Sequence, residues 1–351
     1  MVSAPVFVPG PYVTDLLAQP DALLAATAAM AEPGSALSSL AGLQQRRKFQ
    51  RVVLTGMGSS WHALYPLHLA LTGAGQDSYW IETSELLLAF DPLRRSDTLL
   101  VVVSQSGESA EIVALLRRAD AFGHVVGITN NSRSTLGQAA GTVLPLCAGN
   151  EATVSCKTYV ATLAVLHGLA AALVGSDLRD AVADLRALVP PMQRYLADLE
   201  EHVAALGTWV SGVRAVFVTG RGVSLATAGT GGLILKEATR QPAEGMSCAA
   251  FRHGPLEMVN DQVLVLVCAG DARTAALHRQ LGADIVRAGG RVAFLSAHQA
   301  SAPAFELPKV APALLPLVEI LPVQMLSLAI AARDGREAGR FERATKITTA
   351  A

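Results

Sequence analysis

The stretch VVVSQSGESAEI, residues 101–112, joins an apolar run to a group of small polar side chains. The valines are typical of a strand that is buried on both faces of a parallel sheet, and the residues from Glu108 onward have the spacing of an amphipathic helix. An open parallel sheet binds its ligands beyond the carboxyl ends of its strands, where each strand is followed by a helix. The serines of SQSGES therefore occupy a position where a ligand is expected.

The alternation of strand and helix patterns continues on both sides of this stretch. Apolar strand patterns occur at 52–58, 97–107, 124–130, 214–222, 262–270 and 291–297. Such strands between amphipathic helices are typical of a parallel sheet that is covered on both faces. We expect an α/β protein with two doubly wound parallel-sheet units in tandem, each a flavodoxin-like, three-layer α/β/α domain.

The predicted domain boundaries follow from where these patterns begin and end. A chain of 351 residues is long enough for two full hydrophobic cores. We expect an N-terminal helical segment at 1–48, a first domain at 49–175 and a helical connector at 176–206. A second domain at 207–335 and a C-terminal tail at 336–351 follow.

The charge and the cysteine content exclude several kinds of partner and site. The chain has 28 basic and 29 acidic residues and a net charge of −1, so we expect no nucleic-acid partner. The four cysteines have no CxxC spacing, and the eight histidines form no cluster of metal-ligand spacing. We therefore expect no metal site. The sequence as a whole does not imply an organic cofactor either.

The longest apolar run, residues 314–332, is interrupted by two prolines, a glutamate and a glutamine. It predicts a buried helix rather than a membrane span. The N-terminus lacks the basic and then apolar pattern of a secretory signal. The sequence therefore predicts a cytoplasmic protein without a membrane partner.

A second strand end of the same type occurs at TGMGSS, residues 55–60. Gly56 and Gly58 permit a close approach of the backbone to a ligand, and two serines open the next helix. Free backbone N–H groups and serine hydroxyls at such junctions can donate to the oxygens of a phosphate. Neither junction is a P-loop or a GxGxxG fingerprint, so a nucleotide is not the expected ligand. The alternative is that Ser106 and Ser109 only cap a helix.

These junctions and a later series of motifs resemble the sugar isomerase (SIS) domain family. The motifs are GMGSS at 56–60, SQSGES at 104–109, and GRG, LKE, AE and RHGP between residues 220 and 255. The resemblance spans roughly residues 50–351 and both halves of a tandem pair. It is strongest to the isomerase half of glucosamine-6-phosphate synthase and to its deaminase and deglycase relatives.

The resemblance implies a set of substrate-binding residues. Those that bind the phosphate would be Ser60, Ser104, Gln105, Ser106 and Ser109. Those that contact the sugar would be Gly58, Ser59, Val154 and Ser155, the last two in a segment that closes over the substrate. In the same segment, Lys157 is expected to be structural.

The resemblance also implies three catalytic residues. Interconversion of an aldose and a ketose phosphate requires ring opening and a proton transfer between C1 and C2. His253 would open the ring, Glu237 would move the proton, and Lys346, in the tail, would reach the open-chain carbonyl. Glu244 resembles a family glutamate that we interpret as structural.

Each catalytic assignment has an alternative that the residues alone leave open. Glu237 has Lys236 and Arg240 nearby and could be an exposed, ion-paired glutamate. His253 precedes Gly-Pro and could only cap a turn. Lys346 could be an ordinary solvated lysine near the end of the chain.

Two departures from the synthase pattern shape the expected function. The chain begins MVSAPVFVPG, without the cysteine of a glutaminase domain, so glutamine-dependent synthesis is not expected. Ile234 replaces a lysine of the synthase pattern LKLKE, which brings the full synthase proton relay into question.

We predict an enzyme that converts glucosamine 6-phosphate to fructose 6-phosphate and ammonia. One alternative is a deglycase that cleaves fructosamine 6-phosphates, and an alternative of another class is a non-catalytic sugar-phosphate sensor. The resemblance further implies a homodimer with active sites at the subunit interface, in which His253 serves the neighbouring chain's site.

Overall fold

The computed structural model describes residues 6–32, 34–47, 49–343 and 345–346. The chain forms two compact units, each built around one parallel sheet. The first-sheet unit consists of residues 18–151 and 155–189 and of the segment that begins at Arg343. The second-sheet unit consists of residues 1–17, 152–154 and 190–342.

Nine strands form the two sheets within the described residues. The first sheet contains β1 Arg51–Gly56, β2 Asp77–Glu82, β3 Thr98–Val103, β4 His124–Thr129 and β5 Thr142–Pro145. The second sheet contains β6 Ala215–Gly220, β7 Ala243–Ser247, β8 Val263–Cys268 and β9 Arg291–Leu295. The strand orders are β2-β1-β3-β4-β5 and β7-β6-β8-β9, and all pairings are parallel. The predicted α/β class with two doubly wound sheets is confirmed, and the first sheet has the flavodoxin-like order.

The α-helices lie between and beside the strands. In chain order they are α1 Pro11–Leu17, α2 Gln19–Ala31, α3 Ala36–Arg47, α4 Gly58–Ala63, α5 Tyr65–Gly73, α6 Thr83–Ala89, α7 Ala110–Leu116, α8 Thr135–Ala139, α9 Lys157–Val174, α10 Leu178–Ala197, α11 Leu199–Val210, α12 Leu225–Thr239, α13 Cys248–Arg252, α14 Ala275–Arg287 and α15 Leu315–Arg333.

The first sheet is covered on both faces. On one face Leu100 and Val102 of β3 pack with Ile112 of α7, Leu86 of α6 and Leu136 of α8 in one buried cluster. On the other face α9 packs against α2, α4 and α5. Every residue of β3 is buried, as expected for a central strand between two helical layers.

The second sheet has the same layered construction. Phe251 of α13 and Leu281 and Ile285 of α14 join Val263 and Val265 of β8 in a buried cluster on one face. On the other face α12 and α11 pack against α15.

Glycines bring α12 against the edge strand β7 with almost no space between the backbones. A Cβ atom on Gly232 would lie 2.4 Å from the backbone nitrogen of Gly245, and one on Gly245 would lie 1.9 Å from the carbonyl oxygen of Ala228. Larger residues at these positions would push helix and strand apart. The glycines therefore fix the position of the last turn of α12, which carries Glu237.

Two helical segments, Lys157–Val174 and Pro312–Arg333, are long and apolar enough to cross a bilayer, but 78% and 94% of them are buried inside the protein. Within α15 all residues from Leu315 to Ala331 are buried. The second segment is the apolar run for which the sequence predicts a buried helix.

Candidate functional site

The first sheet has its topological switch point between β1 and β3. The chain leaves β1 towards β2 on one side, whereas β3 and the later strands lie on the other side. Gly56, the last residue of β1, is paired in register with Val103, the last residue of β3. The loops that follow these two strands therefore start side by side at the carboxyl edge, where open parallel sheets bind ligands.

Gly56 is the residue that lets these two loops meet. A Cβ atom at Gly56 would lie 2.9 Å from the carbonyl oxygen of Val103 and 3.2 Å from the Cβ of Ser60. Ser60, at the start of α4, is therefore close to the end of β3, where Ser104 begins the SQSGES loop. Gly58 has a φ of +53°, a conformation that glycine adopts without strain.

The SQSGES loop is folded by hydrogen bonds in which its own serines accept. The Oγ of Ser104 accepts a 3.1 Å bond from the N–H of Gly107, and the Oγ of Ser106 accepts a 3.2 Å bond from the N–H of Glu108. A serine hydroxyl that accepts in this way keeps its own proton available for donation. The loop can thus present hydroxyl donors to an anion.

Helix capping is the wrong interpretation of Ser109. This residue is the N-cap of α7, but its side chain makes no capping hydrogen bond within the described chain. The bond accepted by Ser106 closes a turn inside the loop and lies outside the helix. Capping therefore does not account for the hydroxyls of these two serines.

Glu108, the carboxylate of the SQSGES loop, is hydrogen bonded to the start of α8. Glu108 accepts hydrogen bonds from the N–H of Thr135 at 2.6 Å and from its hydroxyl at 2.8 Å. It thereby joins the loop to the start of α8. The oxygens of Glu108 already accept hydrogen bonds from these donors, which reduces the repulsion between this carboxylate and an anion near the serines.

A cleft of about 480 Å³ lies beside the loop. It is lined by Gln105, Ser106, Glu108, Asn130, Asn131, Cys147, Gly149 and Asn150. None of these described lining residues is a lysine or an arginine. Partial burial and the charge of Glu32 raise the pKa of the Cys147 thiol, so this cysteine is a poor nucleophile.

The tail residue Lys346 lies in the first-sheet unit and binds a buried carboxylate. Its Nζ is 2.7 Å from Oε2 of Glu151, and the two side chains are 24% and 0% exposed. Lys346 is therefore not the solvated lysine of the alternative interpretation. Val154 is fully buried, and the hydroxyl of Ser155 lies 3.0 Å from that of Thr158. Lys157 is buried at the start of α9.

Glu237 and His253 lie in the second-sheet unit. Glu237 is half-buried in the last turn of α12. Its neighbours Lys236 and Arg240 have carboxylate partners of their own, Glu244 at 3.2 Å and Glu342 at 2.7 Å. Lys236 and Arg240 thus each form an ion pair at this end of the helix.

His253 follows α13 directly and is exposed. The next residue, Gly254, has a φ of +130°, which turns the chain sharply after the histidine. Ile234, which stands where the synthase pattern has a lysine, has no exposed surface. This position of α12 is therefore an apolar, buried one.

The predicted phosphate-binding and catalytic residues are divided between the two units. The first-sheet unit holds the predicted phosphate-binding residues and Lys346, and the second-sheet unit holds Glu237 and His253. Sequence reasoning missed Glu151, the partner of Lys346. The available signal was a carboxylate a few residues before a long apolar helix, a position that favours capping of the helix start.

The chain is similar to known proteins in sequence and in fold. Residues 47–172 match the family model described as the SIS domain. A glutamine–fructose-6-phosphate aminotransferase (isomerizing) from Pyrococcus horikoshii is 30% identical over 318 residues, which cover 86% of this chain and 52% of the relative. The chain thus spans about half the length of that relative.

Two solved structures have the same fold. One is the C-terminal domain of a glucosamine-fructose-6-phosphate aminotransferase from Francisella tularensis, with a TM-score of 0.83, 20% identity and coverage of 95% of this chain and 98% of the other. The other is a glucosamine-6-phosphate deaminase from Thermotoga maritima, with a TM-score of 0.71, 15% identity and coverage of 96% and 99%.

Proposed function

Because this chain belongs to the SIS domain family of phosphosugar isomerases, we propose that it is an enzyme that deaminates and isomerises glucosamine 6-phosphate to fructose 6-phosphate. The observation that carries the proposal is the pair of loops at the switch point of the first sheet. Their serine hydroxyls have protons to donate, and the loop carboxylate of Glu108 is occupied elsewhere. This arrangement suits the phosphate of a sugar.

Hydroxyl and amide donors without a lysine or arginine favour a phosphate monoester of a neutral or cationic sugar. In the proposed complex Ser60, Ser104, Gln105, Ser106 and Ser109 bind the phosphate. Hydrogen bonds to a charged group contribute about 1.5–3 kcal/mol each, so several such donors provide an anchor without a cation. Gly58, Ser59, Val154 and Ser155 are the proposed contacts of the sugar.

The proposed reaction begins with ring opening, in which His253 transfers a proton to the ring oxygen of the sugar. Glu237 then removes the proton from C2 of the open-chain aldehyde and returns it to C1, which gives the imine of fructose 6-phosphate. Addition of water to this imine releases ammonia and leaves the ketone. Lys346 engages carbon C2 during this last stage.

The exposed position of His253 supports its proposed role in a neighbouring subunit's site. A homodimer with active sites at the subunit interface is therefore part of the proposal. The cytoplasm, where amino-sugar phosphates are made and consumed, is the proposed compartment.

The decisive experiment supplies purified protein with glucosamine 6-phosphate and, in parallel, with fructoselysine 6-phosphate. Ammonia, free lysine and the product sugar phosphate are measured. Ammonia and fructose 6-phosphate from the first substrate support the proposal. Free lysine from the second substrate alone identifies a deglycase, and tight binding of sugar phosphates without turnover identifies a sensor. Either of these two results contradicts the proposal.

A further inference from the structure

The carboxylate of Glu151 is held by four donors in the first-sheet unit. Its Oε1 accepts from the N–H groups of Cys156 at 2.9 Å and Thr158 at 3.0 Å. Its Oε2 accepts from the hydroxyl of Thr158 at 2.6 Å and from Nζ of Lys346 at 2.7 Å. A carboxylate accepts about four hydrogen bonds, so all its sites are filled.

Three of these four donors belong to the start of α9 and remain in place without Lys346. The side chain of Glu151 has no exposed surface, and a buried carboxylate is costly unless it is hydrogen bonded. The N–H groups of Cys156 and Thr158 lie at the start of the helix, where a negative charge is stabilised. Glu151 is therefore held in place by donors other than the lysine.

The same contacts connect the lysine to the segment that is proposed to cover the sugar. The hydroxyl of Thr158 contacts both Glu151 and the hydroxyl of Ser155. A chain of hydrogen bonds therefore runs from Ser155 through Thr158 and Glu151 to Lys346. These contacts place Lys346 next to that segment.

We propose that Glu151 is a positioning residue that aims Lys346 and accepts its proton, so that the free amine can attack the sugar. This inference rests on the proposed function. The ammonium of Lys346 gives a proton to Oε2 of Glu151, and the lone pair of Nζ adds to C2 of the fructose imine. The nitrogen of the substrate takes this proton from Glu151 and a second proton from Nζ and leaves as ammonia, which gives a protonated lysine ketimine and restores the carboxylate. Water then hydrolyses the ketimine to fructose 6-phosphate and regenerates the lysine, so that atoms and charge balance.

The test compares Glu151→Gln with Thr158→Val. Glutamine keeps an oxygen for the two N–H groups but places an amide donor or a neutral oxygen against Lys346. Valine removes the other side-chain donor to the same oxygen and leaves the carboxylate and the lysine in place. Three quantities are measured: kcat and KM for glucosamine 6-phosphate, ketimine trapped on the Lys346 peptide by borohydride with fructose 6-phosphate, and the rate of acetylation of Lys346 by acetic anhydride.

For Glu151→Gln we expect kcat to fall by about 100-fold or more, as for the loss of a proton acceptor, with KM within about threefold of the wild type. Trapping on Lys346 should be lost, and its acetylation should become faster because the amine is no longer held. Thr158→Val should retain trapping and slow acetylation. If Glu151→Gln does not accumulate in folded form, Glu151→Asp is measured instead. It keeps the charge but retracts it by one methylene, so loss of trapping and faster acetylation then report on the positioning of Lys346.

The outcomes separate this inference from the proposed function. A wild-type protein without activity on amino-sugar phosphates refutes the function, while acetylation still reports whether Glu151 holds the lysine. An active wild type with unchanged kcat, trapping and acetylation in Glu151→Gln overturns the inference and leaves the function in place. An equal loss in Thr158→Val indicates that the segment as a whole, and not the carboxylate, is responsible, which also overturns it.

Discussion

The hydroxyl of Ser224 donates a hydrogen bond of 2.8 Å to the carboxyl group of Glu319, which has no exposed surface. The hydroxyl of Thr227 donates a second bond at 3.0 Å. Burial raises the pKa of Glu319 to about 7, although the bonds from Ser224 and Thr227 act in the opposite direction, and the charge of Asp271 raises it further. The second-sheet unit thus contains an acid that changes its charge near neutral pH.

This acid makes stability depend on pH. The folded-state pKa lies above the unfolded value of 4.5, so the native protein binds the proton more tightly than the unfolded chain. The stabilisation is complete below pH 4.5 and is lost as the pH rises through about 7. Relative to Glu319→Gln, we expect the wild type to lose about 3 kcal/mol of unfolding free energy between pH 4.5 and pH 8, measured by urea titration. Parallel pH curves for the two proteins would contradict this.

The serine hydroxyls should control the affinity for phosphorylated sugars. Ser104→Ala and Ser106→Ala each remove one donor, and we expect each to weaken the binding of glucose 6-phosphate about tenfold or more. Calorimetric titration measures the Kd. Ser132→Ala, an exposed serine in the neighbouring loop, is the control and should bind like the wild type. Equal affinities in all three variants would place the phosphate elsewhere.

Glu237 of α12 and Glu244 of the neighbouring strand β7 should differ in their effect on turnover. Glu237→Gln should lower kcat by about 100-fold to 10,000-fold and leave the Kd for glucose 6-phosphate unchanged, because the amide cannot accept the C2 proton. Glu244→Gln removes only the surface ion pair with Lys236, which is worth about 1 kcal/mol or less, and should retain activity. Steady-state assays of both variants measure kcat. A larger loss of kcat in Glu244→Gln than in Glu237→Gln would assign the proton transfer to Glu244 instead.

Gly107 should be indispensable for the shape of the SQSGES loop. Its φ is +69°, and an added Cβ would lie 2.0 Å from the Oγ of Ser134. Gly175 is the matched control, since its φ is +87° and nothing lies within 4 Å of an added Cβ. We expect Gly175→Ala to cost about 1 kcal/mol from backbone strain alone. Gly107→Ala should cost about 2 kcal/mol more and weaken phosphate binding, because it also displaces Ser134. Equal losses of unfolding free energy in Gly107→Ala and Gly175→Ala would show that the loop accommodates the added methyl group without strain.

The central strands and the edge strand β9 were predictable, whereas the other edge strands were not. A central strand such as β3 is recognisable in the sequence because it is buried on both faces of the sheet and so consists of apolar residues. The edge strands β2, β5 and β7 were not recognised. The sequence of β2, DSYWIE, is only partly buried, and that of β7, AEGMS, contains a glycine and an exposed glutamate. These residues have no strong strand pattern, and it is pairing with a central strand that makes them strands.

The position of the SQSGES loop was predictable for the same reason as the fold. Its place follows from the rule for parallel sheets, so Ser104 and Ser106 could be identified from the strand that precedes them. Glu151 was missed because its main partner, Lys346, is 195 residues away in the sequence. A contact of that kind has no local pattern.

The long separation of Glu151 and Lys346 also has a consequence for synthesis on the ribosome. Residues 18–151 and 155–189 of the first-sheet unit emerge before the second sheet is translated, whereas the segment from Arg343 that completes this unit emerges afterwards. Domains fold as they emerge, the N-terminal ones first. The nascent chain therefore contains the SQSGES loop before it contains Lys346. On the proposed function, a sugar phosphate that binds this loop stabilises the folded part of the chain by mass action. On the proposed function, the chain would gain its phosphate-binding loop during synthesis before it gains the lysine.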